Sequence, residues 1–174
     1  MSDKLAKPPP DVWLRGAVNG VAPVLMPVAH SFLQAIEEIG RSGVLDLSPA
    51  QLWTRPGGAA AAGFHLRHLA GATDRLLTYA RGEPLTEAQK KLLGEEGSPG
   101  EPPADAATLV RETTAAFNRA LEQVRATPAA SLDDERRIGK AGLSTSVRGL
   151  LFHAAEHAYR HAGQLITTVK VLRS

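Results

Sequence analysis

Leu150 to Leu165 reads LLFHAAEHAYRHAGQL, and the fold is decided there. His153, His157 and His161 recur at a spacing of four, so on a helix they climb one side, each about 40° round from the last. Around them Val147, Leu150, Leu151, Ala154, Ala158, Leu165, Val169 and Leu172 recur at three- and four-residue steps, the mark of one apolar face on a long helix. On a wheel of roughly 100° per residue, His161 falls about 20° from the centre of that face, His157 about 60° and His153 about 100°. His157 and His161 therefore face the core or its edge, and His153 sits at the boundary. Two imidazoles at i and i+4 can hold one metal ion from a single helical face. From this helix alone, neutral core histidines bonded to carbonyls or carboxylates are the more economical reading, because an H-x-x-x-H match is common by chance.

Upstream, three more segments carry helical periodicity. Val24, Leu25, Val28, Phe32, Ile36 and Ile39 mark a first helix that starts near Pro23 or Pro27 and stops at Gly40. His30 on that helix reads as structural or exposed. Residues 47–58, LSPAQLWTRPGG, form a connector with a short helical turn capped by Ser48 and opened by Pro49, and Trp53 is a packing anchor. A second long helix spans about residues 59–81 and ends at Gly82. Thr86 and Gln89 fit a capping box for a short helix through about Leu93, and residues 95–103 are expected to be loose. The third long helix is capped by Asp105 and buried through Leu109, Val110, Thr113, Phe117, Leu121 and Val124, with Pro128 ending it. Residues 129–143 lack periodicity, and Arg136, Arg137 and Lys140 read as solvated. Ser144, Thr145 or Ser146 caps the fourth long helix. With no strand pattern evident, the fold class is all-α, a four-helix bundle. Residues 1–20, with Pro8, Pro9 and Pro10, form an extended N-terminal lead-in that Trp13 and Leu14 could dock, and residues 21–174 form a single domain.

The second helix holds its own histidines, in GFHLRHLAGATDRLLTYARG. His65 and His68 are three apart and share a side, and Gly71 and Ala72 follow His68 by one turn. Small residues there leave room for a metal or a substrate, or for close helix packing. On the last helix, Phe152, Tyr159 and Ile166 recur every seven residues on the side away from the histidines, with Ala155 and Ala162 between them. This second stripe is either a homodimer face or the seat of another helix of the same chain.

Composition excludes several classes. Lys plus Arg total 20 against 18 acidic residues, a net charge of +2, and no basic run is interleaved with aromatics, so no nucleic acid partner is expected. The absence of cysteine removes disulfides, thiolate ligands and a cysteine nucleophile together, so any thiol chemistry needs an external thiol. No stretch is long and apolar enough to span a bilayer, and the N-terminus lacks an apolar leader. The expectation is a cytoplasmic protein with no membrane partner.

Two motifs then point to a family. HLRHLAG at His65 to Gly71 and EHAYRHAGQL at Glu156 to Leu165 make the chain resemble the DinB/YfiT-like proteins, metal-dependent enzymes with a four-helix bundle. The likeness covers roughly residues 21–172. It implies three metal ligands at His68, His157 and His161, and the wheel argument selects the same pair on the last helix. The family pattern often has a histidine just before the last ligand and an arginine just after it; here those positions hold Arg160 and Ala162.

Three neutral imidazoles leave a divalent ion, zinc or nickel, with open positions, the arrangement of a catalytic site. Gln164, one turn beyond His161, is a candidate to orient a ligand or water. Relatives of this fold include enzymes that use bacillithiol or mycothiol, so the resemblance implies a thiol-dependent S-transferase or a hydrolase acting on a small-molecule substrate. The competing expectation is a non-catalytic, metal-pinned dimeric module, a binding or stress-response protein whose site is closed by a fourth ligand, His30, His65 or His153.

Overall fold

The computed structural model describes residues 9–174, and residues 1–8 of the expected lead-in lie outside the described residues. Four long helices carry the fold: α1 (Met26–Arg41), α3 (Ala62–Ala80), α5 (Ala106–Ala126) and α6 (Val147–Arg173). Two short helices, α2 (Pro49–Trp53) and α4 (Glu87–Glu95), lie in the connections. The helix starts follow local capping chemistry. Ser48 and Thr86 each form a capping box, with Gln51 and Gln89 respectively. Asp105 accepts from the Thr108 amide at 2.7 Å, and Ser146 accepts from the Gly149 amide at 3.1 Å, so Ser146 is the cap of α6.

In the bundle α6 packs against α1 and α3, and α5 against those same two helices, so α1 lies diagonal to α3 and α5 diagonal to α6. This order depends on how four apolar stripes share one core. Phe32 from α1 meets Phe117 from α5 with ring centroids 5.3 Å apart, both rings fully buried. Leu66 and Leu69 from α3 and Leu151, Ala158 and Leu165 from α6 complete the centre. Thr113, inside α5, returns its hydroxyl to the Leu109 carbonyl and bonds the Leu66 carbonyl of α3 at 2.9 Å.

α1 packs against α6, and the second stripe of α6 is mostly covered within the chain. Ala155 and Ala162 are buried and Phe152 packs against the core, while Tyr159 remains 49% exposed. The lead-in is held differently from expectation. Trp13 and Leu14 are exposed; the residue that docks is Val12, buried and donating its amide to Gln34 Oε1 at 2.8 Å. Arg15 adds an ion pair to Glu37 of α1.

Residues 129–146 correct the strand-free reading. A small antiparallel hairpin, β1 (Glu135–Ile138) and β2 (Leu143–Ser146), leads into α6. Its four-residue loop needs positive φ at both ends, supplied by Gly139 (65°) and Gly142 (60°). With only four residues per strand, alternation was too short to register against the surrounding polar sequence. Arg136 is not solvated: its Nε donates to the Ala80 carbonyl at 2.9 Å, satisfying a free carbonyl at the end of α3. Among the described residues, no helix is long and apolar enough to cross a membrane.

Candidate metal centre

The site lies where α3 and α6 run antiparallel, so that His65 meets His161 and His68 meets His157. His68, His157 and His161, all partly buried, each offer a ligand atom, and these atoms lie within 4.8 Å of one another. Nε2 of His68 and Nε2 of His157 are 3.1 Å apart. Two imidazole nitrogens sharing a tetrahedral zinc at about 2.0–2.1 Å each stand roughly 3.3 Å apart, so this edge already has the length a shared ion requires. The donor set therefore fits a divalent ion that favours imidazole.

The other ring nitrogens are fixed by neighbours. His68 donates from Nδ1 to Glu96 Oε2 at 2.7 Å, and its Nε2 faces His157. His161 Nδ1 meets Nδ1 of His65 at 3.1 Å, and His65 is 5% exposed. Phe64 stacks on His68 with centroids 5.2 Å apart and planes within 11°, setting the tilt of that ring. Burial, helped by the neighbouring His68, pushes His157 down to about 4. Burial, helped by His157 and His68, pushes His161 down to about 4 as well. Burial also lowers His65. At neutral pH the two α6 imidazoles are therefore uncharged, the form that ligates.

Glu96, just past the end of α4, is the side chain beside the cluster that sequence reasoning missed. It is 6% exposed, and its second oxygen accepts from Arg75 at 2.7 Å. Burial pushes its carboxyl up, but the hydrogen bonds from His68 and Arg75 outweigh this and hold it below the ordinary carboxylate value. The segment that carries it is fastened rather than loose. Arg67 donates to the carbonyls of Glu95, Ser98 and Pro99 while lying over the Trp53 ring at 4.8 Å. Trp53 is the anchor its sequence suggested: its Nε1 donates to the Ala104 carbonyl at 3.1 Å, and its ring fills the space left by Gly63. Nothing in the local sequence distinguishes Glu96 from Glu95; only the tertiary fold selects one of them.

The sequence model of the DinB superfamily matches residues 33–165, a span that contains all three clustered histidines. The chain belongs to the DinB superfamily. Among curated proteins, none matches the chain.

In this DinB-superfamily chain, of the remaining candidates His30 and His153 stand apart from the cluster, while His65 touches it through His161. His30 donates from Nε2 to the Gly16 carbonyl at 2.8 Å, tying the lead-in to α1. His153 is half exposed, its Nδ1 lies 3.7 Å from Glu156 and its ring is 5.9 Å from that of His157. His65 is engaged with His161. Among the described residues no fourth His, Asp or Glu joins the three. Gln164 is exposed and makes no side-chain hydrogen bond among the described residues. The room beside His68 has a different use from the one its small residues suggested: Gly71 admits the Glu96 carboxylate and the Arg75 guanidinium.

Proposed function

We propose that this chain is a metal-dependent enzyme that transfers an external thiol to a small molecule or hydrolyses one, with zinc or nickel held by His68, His157 and His161. The observation that carries the reading is a set of three histidine ligand atoms within 4.8 Å, joined by no fourth side chain among the described residues. A structural pin closes its coordination shell with protein, whereas an open position is what a reacting molecule needs. The ion, once bound, supplies Lewis-acid chemistry, acidifying a water or thiol that reaches it.

The chain's own residues prepare that chemistry. Burial keeps His157 and His161 neutral and ready to ligate. Phe64, stacked on His68, puts apolar surface beside the cluster, which strengthens charge interactions there. Arg160, exposed on α6, lies near enough to His157 and His161 to depress both, so the rim bears a positive charge that favours an anionic substrate or thiolate.

The test is metal content by elemental analysis of protein purified without a histidine tag, beside His157→Ala and His161→Ala. About one zinc or nickel per chain, lost in both variants, supports the reading and opens a screen of low-molecular-weight thiols with electrophilic acceptors, and of hydrolysable esters and amides. Folded wild-type protein that takes up neither metal after soaking would overturn it. Full metal content with coordination completed by a fourth protein side chain would favour the non-catalytic module.

A further inference from the structure

Three residues one turn apart on a single face of α3, His68, Gly71 and Arg75, surround one carboxylate. Glu96 Oε2 accepts from His68 Nδ1 and Oε1 from Arg75, each at 2.7 Å. The carboxylate reaches them only because position 71 lacks a side chain. A Cβ at Gly71 would stand 2.6 Å from Glu96 Oε1 and 2.8 Å from the Arg75 guanidinium nitrogen. Gly71 is mid-helix and unstrained, so the glycine costs helix propensity for the sake of this docking.

We propose that Glu96 is a positioning residue for His68: held by Arg75 over Gly71, it keeps the His68 proton on Nδ1 and turns Nε2 toward His157 and His161. The proposal rests on the reading of the three histidines as a metal site and adds what aims the one ligand that α3 contributes. An ionised carboxylate accepts and never donates, so only the Nδ1–H tautomer of His68 satisfies it. Arg75 occupies the other oxygen, which keeps Glu96 from rotating out of the plane of the His68 bond. Because Glu96 sits on the segment that Arg67 fastens to α3, the connection between α4 and α5 becomes part of the site's support rather than a peripheral loop. A histidine ligand whose second nitrogen is held by a carboxylate binds its ion more tightly and in one orientation.

The experiment uses the full chain and three variants: Glu96→Gln, Glu96→Ala and Gly71→Ala. Two readouts are taken: the tautomer of His68, from nitrogen-15 NMR of the metal-free protein, and zinc affinity by competition with a chromophoric chelator. In the wild type His68 is expected as the Nδ1–H form. A glutamine amide in place of the carboxylate can still accept from His68 but pairs poorly with Arg75. Glu96→Gln should therefore keep the tautomer and weaken zinc roughly tenfold, with Glu96→Ala losing the tautomer preference and up to roughly a hundredfold in affinity. Gly71→Ala keeps the identity of every histidine, of Glu96 and of Arg75 and improves helix propensity, so it should fold while its Cβ displaces the Glu96 carboxylate and scrambles the tautomer.

Wild-type tautomer and zinc affinity in both folded Glu96→Ala and Gly71→Ala would overturn the positioning role while leaving the metal site standing. Should the wild type bind no zinc or nickel, the functional reading fails, yet an Nδ1–H preference in the wild type that Glu96→Ala abolishes would still establish that Glu96 orients His68. If Glu96→Ala unfolds, Gly71→Ala decides by its tautomer and Glu96→Gln by its zinc affinity: a wild-type result in both would overturn the positioning role.

Discussion

His65 Nδ1 and His161 Nδ1 lie 3.1 Å apart across the α3–α6 interface, so one ring must donate to the other. His65 is buried and burial lowers it, and its contact with Nδ1 of His161 leaves the other ring nitrogen of His161, Nε2, free of that pairing. Paired in this way, His65 would support His161 rather than serve as the fourth ligand that the sequence also allowed.

His65→Ala should therefore weaken zinc roughly tenfold to a hundredfold without changing the stoichiometry of one ion per chain. Chelator competition measures the first and elemental analysis at saturating zinc the second. Loss of the ion altogether at saturation would make His65 a ligand instead, and an unchanged affinity would show that its bond to His161 orients nothing.

Stability of the metal-free protein should depend on pH in one direction. His157 and His161 are lowered from 6.5 to about 4 in the folded chain. Between those values the unfolded chain binds protons that the folded chain refuses, so stability is full above pH 6.5 and falls as pH drops toward 4. Glu96, also lowered, carries the loss further in the same direction below 4.5. Urea midpoints in the presence of chelator should thus fall from about pH 7.5 to about pH 5, and less steeply in a His157→Ala, His161→Ala double variant. An equal slope in that double variant would place the loss elsewhere in the molecule.

The sequence carried the helices and the His157–His161 pair because both are periodic, whereas His68 was singled out from His65 only by the resemblance of HLRHLAG to the family motif. His157 and His161 are four apart on one helix, and the apolar face of α6 tells which way they point. Asp105 and Thr86 were legible as caps, and Ser146 as one of three candidates with Ser144 and Thr145, since capping is decided within four residues. Glu96 was illegible for the opposite reason: 28 positions separate it from His68, and its selection over Glu95 comes from a gap at Gly71 that appears only once α3 is packed. The hairpin escaped for want of length, and the docking of Val12 rather than Trp13 is a matter of which neighbour meets Gln34. Helix order was hidden because four similar stripes satisfy periodicity in any arrangement.

Core and site should separate under mutation. Phe117 is fully buried against Phe32, far in sequence from the histidines and carried on the helix diagonal to α6. Phe117→Ala should cost about 3–5 kcal/mol of unfolding free energy, read by urea denaturation, because the lost ring leaves a cavity. Protein that remains folded should still bind one zinc per chain. A Phe117→Ala protein with normal stability would mean that the core collapses onto the gap.

Gln164 offers the sharpest contrast between periodicity and packing. Seven residues separate it from His157, so the wheel sets it within about 20° of that ligand's direction. It nevertheless emerges exposed, beyond His161 along the helix, and bonds no histidine. A side chain so placed can touch what approaches the site but cannot fix the ligands. Gln164→Ala should therefore leave zinc affinity unchanged within the error of a competition assay, while His161→Ala abolishes binding. If the thiol or hydrolytic activity is found, the same variant should raise KM and leave the metal stoichiometry intact. A fall in zinc affinity in Gln164→Ala comparable to that of His65→Ala would show that the side chain reaches back to the ligands, contrary to its exposed position.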